Sequence, residues 1–263
     1  MAETLAHFPR NPDYGLGAYR RCLRFAADAA GMIAQVDDSH HSYWLTFDHD
    51  GTCITDVAAG FMRAPTSACA GATAGLAALI GIPLEGTVGE TLVRLPEPSN
   101  CTHLVDLACW SLAQTGCSAE WDVMVPDQVD APVWIEIVRD GAVVHHWRVA
   151  DHRIVAPPSL AGRPMMKGFM AWARATFEGE DLLAATMLQR GMFVARGREH
   201  IVDQGDRAPL ASAKGMAGRC WSYSGSRLKQ ATGSLGYVRD FTREVIRETP
   251  PPSIAARLQG AKP

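Results

Sequence analysis

Apolar and aromatic residues recur in four short stretches that are typical of β-strands, at 43–47, 52–57, 133–137 and 142–149. The first two stretches flank Asp50-Gly51, and the last two flank Asp140-Gly141. A glycine at such a place accommodates the positive φ of a tight hairpin turn. The pattern therefore predicts two β-hairpins, one in each half of the chain.

Runs of small or apolar residues follow each hairpin and predict helices. The predicted helices span 64–80, 84–95, 101 to about 114, about 159 to 176, and 181 to about 196. The tail between 209 and 240 is rich in glycine, which predicts strands joined by tight turns. The prolines at 250–252 indicate a loose C-terminal end.

The order of predicted elements in the first half recurs in the second half. The matching residues Trp44, Asp50 and Gly51 stand 90 positions before Trp134, Asp140 and Gly141. An internal duplication explains this offset, and the alternative is chance, because strand–turn–strand–helix is a common order. In a duplicated chain the second copy lacks the reactive groups of the first, since the paired residues are Cys69 and Ser159, Cys101 and Ala185, and His103 and Met187.

These patterns predict an α+β fold built from two related lobes, each a small antiparallel sheet with packed helices. The first lobe spans 36–125 and carries the Cys and His residues, and the second spans 126–205 and lacks them. Residues 1–35 are expected to be an N-terminal lead-in, and residues 206–263 to be glycine-rich strands and a loose tail. Because clefts between lobes often bind ligands, we expect the seam to hold any site.

Composition excludes several function classes. Of the 263 residues, 47% are hydrophobic and 20% are charged, as in ordinary globular proteins, and the net charge of −3 gives no reason to expect nucleic-acid binding. The longest apolar stretch, at 70–82, is too short and too interrupted by glycine to span a membrane. The first residues lack a basic region followed by an apolar one, so we expect no secretory signal. Seven scattered cysteines predict a reduced, cytoplasmic protein. Arg190, Arg196, Arg198 and Arg207 form a basic run that suits a solvated face or a small-anion contact.

The segment Asn100–Leu107 holds the densest group of reactive side chains. Asn100 is a suitable N-cap, which makes Cys101 the first helical residue, where the helix dipole lowers a thiol pKa. A helical wheel also places Cys101 on the apolar face of this helix, as a buried and inert residue would be. The sequence leaves both interpretations open.

His103 and Asp106 lie three residues apart on the other face of the same helix, close enough to touch. A carboxylate that orients an imidazole is suited to general acid–base catalysis, and an incidental contact on an exposed face is the alternative. Trp110 lies on the same face of this helix, four residues after Asp106. A tryptophan there indicates that the face is covered, either by the second lobe or by a ligand.

Two residues between the first hairpin and this helix complete the candidate site. Arg63 is a candidate anchor for an anionic substrate, and Cys69 is a candidate lining residue at a strand-to-helix junction. Cys69, Cys101 and His103 together also form an alternative set of ligands for zinc or an iron–sulfur cluster. No Cys-x-x-Cys spacing supports that alternative, so no cofactor is favoured.

These residues carry a family resemblance. The run His41–Asp48, then Gly51–Asp56, Pro65, Cys69 and Cys101–Leu107, resembles a bacterial family of domains of unknown function marked by Gly-Cys-Thr-His-Leu-x-Glu-Leu. This chain has Asn100 in place of the glycine and Asp106 in place of the glutamate. The resemblance implies no established activity. A fainter similarity, carried by Cys69 and Cys101, is to the iron–sulfur scaffold fold, whose third cysteine has no clear counterpart here.

The function expected from the sequence is that of an intracellular catabolic enzyme acting on a small apolar or aromatic metabolite. Lyase, isomerase or hydrolase chemistry without a cofactor fits, because no Gly-x-Gly-x-x-Gly or phosphate-loop motif is present. His103 would act as general acid–base, Asp106 as its orienter and Cys101 as a lining or nucleophilic thiol, with Arg63, Trp110 and Cys69 binding substrate. A homo-oligomer is compatible with the sequence. The alternatives are a metal- or cluster-carrying module and a ligand-binding protein without chemistry.

Overall fold

The structure is a computed structural model that describes residues 5, 8–85, 88–96, 99–204, 209–212 and 215–260. Eight antiparallel strands form one continuous sheet in the spatial order β4-β3-β2-β1-β5-β6-β7-β8. The strands are β1 Ala18–Ala27, β2 Gly31–Asp38, β3 Ser42–His49, β4 Ile54–Arg63, β5 Ala119–Pro126, β6 Val133–Arg139, β7 Ala142–Ala150 and β8 Arg153–Ala156. The α+β class is confirmed, and one continuous sheet takes the place of the two separate small sheets expected from the sequence.

The predicted hairpins correspond to β3–β4 and β6–β7, but the sequence reasoning missed four of the eight strands. The most important correction concerns residues 1–35, which contain β1 and most of β2 rather than a structureless lead-in. All eight residues of β2 are buried, because both faces of the sheet are covered there. A strand buried on both faces does not show the alternation of apolar and polar residues from which strands are predicted.

Six α-helices occur in the described residues: α1 Val88–Arg94, α2 Thr102–Ala113, α3 Phe169–Thr176, α4 Gly179–Ala195, α5 Arg227–Gln230 and α6 Pro252–Gly260. The predictions of α2 and α4 are confirmed. The predicted helix 64–80 is instead a 3₁₀ helix, Cys69–Leu79, and the prediction for 84–95 includes residues 86–87, outside the described residues. The predicted helix 159–176 is interrupted, because Gly162 and Gly168 adopt left-handed φ values of 82° and 90°.

The C-terminal region differs most from expectation. Within its described residues, 209–240 form short helical turns and isolated bridges rather than strands, since several glycines there have positive φ. The supposedly loose end forms α6, whose Ile254 and Leu258 pack against Ala26 and Ile33. Arg257 of α6 pairs with Asp28 at 2.9 Å. Pro250 and Pro251 therefore precede a docked helix that begins at Pro252.

The order of elements occurs twice: four strands, a 3₁₀ helix and two α-helices. In that order β3 corresponds to β7, the third strand of each set. The offset of 90 residues that links Trp44 to Trp134 instead aligns β3 with β6. The residue matches predicted from the sequence are therefore shifted by one strand relative to the repeated order of elements.

The main hydrophobic core lies between one face of the sheet and the helices α2 and α4. Helix α6 covers the opposite face over β1 and β2. This packing brings the first turn of α2 and the last turns of α4 next to the connection between β2 and β3. That junction is where the candidate site lies.

Candidate functional site

A cavity of about 580 Å³ opens at this junction. Its walls come from the β2–β3 connection, the start of the 3₁₀ helix, the start of α2, the end of α4 and the C-terminal region. Most of the wall is apolar or aromatic, and such a volume suits a small organic molecule. The polar side chains in this wall include those of His41, Cys69, Cys101, His103, Cys220 and Ser222.

His41 is fixed in the cavity wall by Asp38. The Nδ1 atom of His41 lies 3.1 Å from Oδ1 of Asp38, and the backbone amides of His40 and His41 donate to the same oxygen. The other carboxylate oxygen accepts from Arg21 at 2.6 Å. Burial raises the pKa of Asp38, but the positive charge of Arg21 and the interactions with His41 and His40 together outweigh it and hold that pKa well below the usual range. Asp38 is therefore an ionised carboxylate behind His41.

His103 lies beside His41, with 4.1 Å between the ring centroids. Its Nδ1 is 3.9 Å from the Cys101 sulfur, and its buried Nε2 has no hydrogen-bond partner within the described part of the chain. Burial, reinforced by the charge of neighbouring groups, lowers the pKa of His103 well below its usual value. His103 is therefore a neutral imidazole that borders the cavity.

Cys101 occupies the N-cap position of α2, which the sequence assigned to Asn100. The side-chain amide of Asn100 instead donates to the carbonyl of Pro96 at 3.1 Å. Burial raises the pKa of the Cys101 thiol to about 12, and the nearby sulfurs of Cys69 and Cys220 act in the same direction, while amides of the first helical turn oppose it. Cys101 therefore remains a protonated thiol at neutral pH, which favours a lining role over a nucleophilic one.

Asp106 does not orient His103. Its Oδ2 lies 2.5 Å from Nε of Arg190 on α4, and Oδ1 accepts from the same guanidinium. Trp110, further along α2, donates from Nε1 to the Thr186 hydroxyl of α4 at 3.1 Å. The face of α2 that carries Asp106 and Trp110 is therefore covered by α4. Asp106 and Trp110 border a second cavity, which is next to the one that His103 lines and does not include His103 in its wall.

Arg63 has no donor left for a substrate anion. Its Nε donates to Glu248 at 2.6 Å, and its four remaining N–H groups have four backbone acceptors. Three of these carbonyls belong to Asp38, Ser39 and His41, and the fourth belongs to Tyr237. The predicted anchor is therefore corrected to a structural clamp that shapes the connection carrying His41.

Cys69 is part of a small polar cluster. Its sulfur lies 3.1 Å from the Thr66 hydroxyl and 3.5 Å from the Ser222 hydroxyl. Cys220 borders the same cavity, although it is 119 positions from Cys101 in the chain. Among the described residues, one group of three has ligand atoms mutually within 4.8 Å, as a metal site requires, and it is Cys22, Glu120 and Asp122 on β1 and β5. The predicted set of Cys69, Cys101 and His103 does not reach that closeness.

Sequence reasoning missed Asp38, His41 and Cys220 as site residues. A usable signal existed for the first two, because Asp37-Asp38-Ser39-His40-His41 is a polar run between apolar segments. Polar residues on such a connection are frequent in functional sites. Cys220 carries no comparable signal. Arg207, part of the predicted basic run, lies outside the described residues, and Arg198 pairs with Asp127 at 2.7 Å.

Comparison with known protein families gives a match over part of the chain. A family model described as "Protein of unknown function (DUF2889)" matches residues 24–117. The chain resembles this family. The matched region includes Asp38, His41, Cys69, Cys101 and His103, so the resemblance to an uncharacterised family is confirmed. No curated protein and no solved structure matches the chain.

Among the described residues, no helix combines the length and the apolar character that crossing a bilayer requires.

Proposed function

We propose that the protein is an enzyme that moves protons on a small, largely apolar metabolite bound in the 580 Å³ cavity. The observation that carries the proposal is the contact between His41 and Asp38 in the wall of that cavity, at 3.1 Å. The acid–base chemistry expected from the sequence is kept. The residues assigned to it change from His103 and Asp106 to His41 and Asp38.

Asp38 gives His41 the properties of a general base. When Nδ1–H of His41 donates to the carboxylate, the lone pair stays on Nε2, which then accepts a proton from substrate. The negative charge of Asp38 stabilises the imidazolium that forms. Oriented bases of this kind contribute typically about 10²–10⁴-fold in rate.

His103 would be the polar partner of His41. It is neutral, it touches the His41 ring, and its Nε2 lacks a protein partner within the described residues. Buried polar atoms are nearly always hydrogen-bonded, and exceptions are frequent where a substrate group completes the contact. His103 is therefore placed to hold a polar atom of the substrate while His41 takes its proton.

The substrate class and setting follow from the cavity wall and the thiols. Aromatic and aliphatic side chains such as Phe61, Phe193 and Val194 favour an apolar or aromatic body. Lyase, isomerase or hydrolase chemistry without a cofactor remains part of the proposal. None of the seven cysteines forms a disulfide, which supports a reducing, cytoplasmic setting. The proposal keeps the catabolic role expected from the sequence.

The proposal includes an origin by internal duplication. The repeated order of four strands, a 3₁₀ helix and two α-helices supports it. In this view the first copy supplies His41, Cys101 and His103, and the second copy supplies α4, which closes one side of the cavity. The second copy has no matching imidazole and thiol, so one site serves the whole chain.

The experiment begins with a search for the substrate. Small aromatic and aliphatic metabolites are ranked by their effect on thermal unfolding, and those that stabilise the protein are assayed for turnover. His41→Gln is expected to lower kcat by roughly 10²-fold or more, since it removes the base. The matched control is His146→Gln, at an exposed position on β7.

Both variants are first shown to be folded by circular dichroism. Full turnover by a folded His41→Gln protein would overturn the proposal. A loss of turnover in His41→Gln with normal turnover in His146→Gln supports it. His103→Gln is expected to raise KM more than it lowers kcat, because its proposed role is to hold the substrate.

A second candidate function is a metal- or cluster-carrying module, and one observation favours it. Cys220 adds a third thiol to Cys69 and Cys101 at the cavity, with His103 beside them. Three thiolates and an imidazole suit zinc or an iron–sulfur cluster. The ligand atoms are too far apart in the present arrangement, so the side chains would have to close on the metal. Elemental analysis of the purified protein and of Cys220→Ser tests this candidate, and substoichiometric metal in both removes it.

A further inference from the structure

A second cavity, of about 500 Å³, lies among α1, α2, α3 and α4, and Thr102 and Arg190 line both this cavity and the first. Its walls are mainly apolar and include Leu95, Val105, Trp110, Leu182 and Leu183. Leu92 and Met170 border it and are 44% and 40% exposed, although large apolar side chains are usually covered. The acid–base chemistry proposed above makes no use of this space.

The charges around the second cavity are unequal. Among the described residues, the carboxylate in its wall is that of Asp106, which is neutralised by Arg190 at 2.5 Å. The other charged group in the wall is Arg174, in the last turn of α3. Arg174 has no carboxylate at ion-pair distance within the part of the chain that the structure describes. An apolar space with one unneutralised cation at its edge is complementary to an anion with an apolar body.

The field of Arg174 reaches the wall of the cavity. Burial raises the pKa of the Cys109 thiol to about 12, the negative charge of Asp106 adds to that rise, and the positive charge of Arg174 opposes it. Cys109 borders the cavity on the α2 side, opposite the helix that carries Arg174. A ligand between the two helices would therefore lie within reach of the charge of Arg174.

We propose that this second cavity, lined by α1 to α4, is a binding site for an amphiphilic anion, such as an aromatic or aliphatic carboxylate. The apolar body would lie against Leu95, Trp110 and Leu183, and the anionic group would contact the guanidinium of Arg174. The proposal does not depend on the chemistry assigned to His41. It adds a second ligand to the molecule, on the face of α2 that α4 covers.

The test uses two fluorescent probes that differ in charge. 8-Anilinonaphthalene-1-sulfonate carries a sulfonate, and N-phenyl-1-naphthylamine has the same ring system without it. Both are titrated against the full chain and four variants: Arg174→Ala, Arg174→Lys, Ala113→Phe and Gly233→Phe. Ala113 is an exposed residue that borders the second cavity, and Gly233 borders the first, where an added side chain meets nothing within 4 Å.

Arg174→Ala is expected to weaken sulfonate binding about fivefold, since an exposed ionic contact contributes up to about 1 kcal/mol, and to leave the neutral probe unaffected. Arg174→Lys should retain most of the sulfonate affinity. Ala113→Phe should weaken both probes by filling the second cavity, and Gly233→Phe should leave the part of the sulfonate affinity that depends on Arg174 unchanged.

Two results would overturn the proposal: equal sulfonate affinity in Arg174→Ala and the native chain, or a loss of binding in Gly233→Phe that Ala113→Phe does not show. Thermal unfolding verifies that each variant is folded. If Ala113→Phe does not fold, the two Arg174 variants decide the question alone, because that side chain is exposed.

Discussion

Arg21 and Asp38 form an ion pair that solvent does not reach. Both side chains are completely buried, and Nη2 of Arg21 lies 2.6 Å from Oδ2 of Asp38. The pair links β1 to the end of β2 and fixes the carboxylate that holds His41. The stability of the fold and the geometry of the candidate site therefore depend on the same contact.

Replacing Arg21 with Met should destabilise the protein severely. The substitution leaves the Asp38 carboxylate buried without its counter-ion, and such a loss costs roughly 3–5 kcal/mol. Urea denaturation measures the change in the free energy of unfolding. The control is Arg10→Met, which removes a pair with Glu199 in which the Arg10 side chain is 75% exposed, and should cost less than about 1 kcal/mol. Similar losses of unfolding free energy from the two substitutions would contradict the role given to the buried Arg21–Asp38 pair.

His40 should make stability depend on pH. Its imidazole is buried against Tyr19, and burial lowers its pKa from 6.5 to about 3. Between these two values the unfolded chain binds a proton that the folded chain does not, so stability is greatest above about pH 6.5 and falls as the pH decreases toward 3. The slope from one such histidine is about 1.4 kcal/mol per pH unit.

His40→Gln removes that titration and should flatten the slope. Unfolding free energies from urea titrations between pH 6 and 4.5 measure it. His103 has a pKa lowered in the same direction, so part of the slope should persist in the variant. His146→Gln, at an exposed position, should keep the native slope. A slope unchanged by His40→Gln would show that this residue titrates normally in the folded state.

Arg63 offers a direct comparison between the role predicted from the sequence and the role seen in the structure. A substrate anchor could be replaced without loss of stability, whereas a clamp with five acceptors could not. Arg63→Lys keeps the charge but lacks the planar set of donors, so it should leave buried carbonyls unsatisfied. We expect a loss of roughly 2–4 kcal/mol in unfolding free energy. A native-like stability for Arg63→Lys would restore the anchor as the better interpretation.

The parts of the fold that could be predicted are those whose signal is local. The hairpin at Asp50-Gly51 has its turn residues next to its strands, and α2 and α4 show apolar residues at helical spacing. Strand β2 could not be predicted in this way, because α6, more than 200 residues away, buries its second face. Its pattern depends on a partner that the local sequence does not reveal.

The same reason explains which site residues were found. His103 and Cys101 were recognised because they are close together in the chain. The partner of His103 was wrong, because helical spacing permits a contact with Asp106 but says nothing of Arg190, which competes for the carboxylate from α4. The pairing of Asp38 with Arg21 requires knowledge of the register between β1 and β2, in which these two residues stand opposite each other.

Cys101 gives the sharpest test of the site chemistry that needs no substrate. Burial raises its pKa to about 12, so at pH 8 only about one molecule in 10⁴ carries the thiolate that reacts with iodoacetamide. Cys117 is exposed and serves as the internal control. Timed alkylation followed by peptide mass spectrometry should show Cys101 labelled at least about a hundredfold more slowly than Cys117. In urea the two rates should become similar, because unfolding removes the burial that protects Cys101. Equal rates in the folded protein would return Cys101 to the nucleophilic role considered from the sequence, with the first turn of α2 as the cause of its activation.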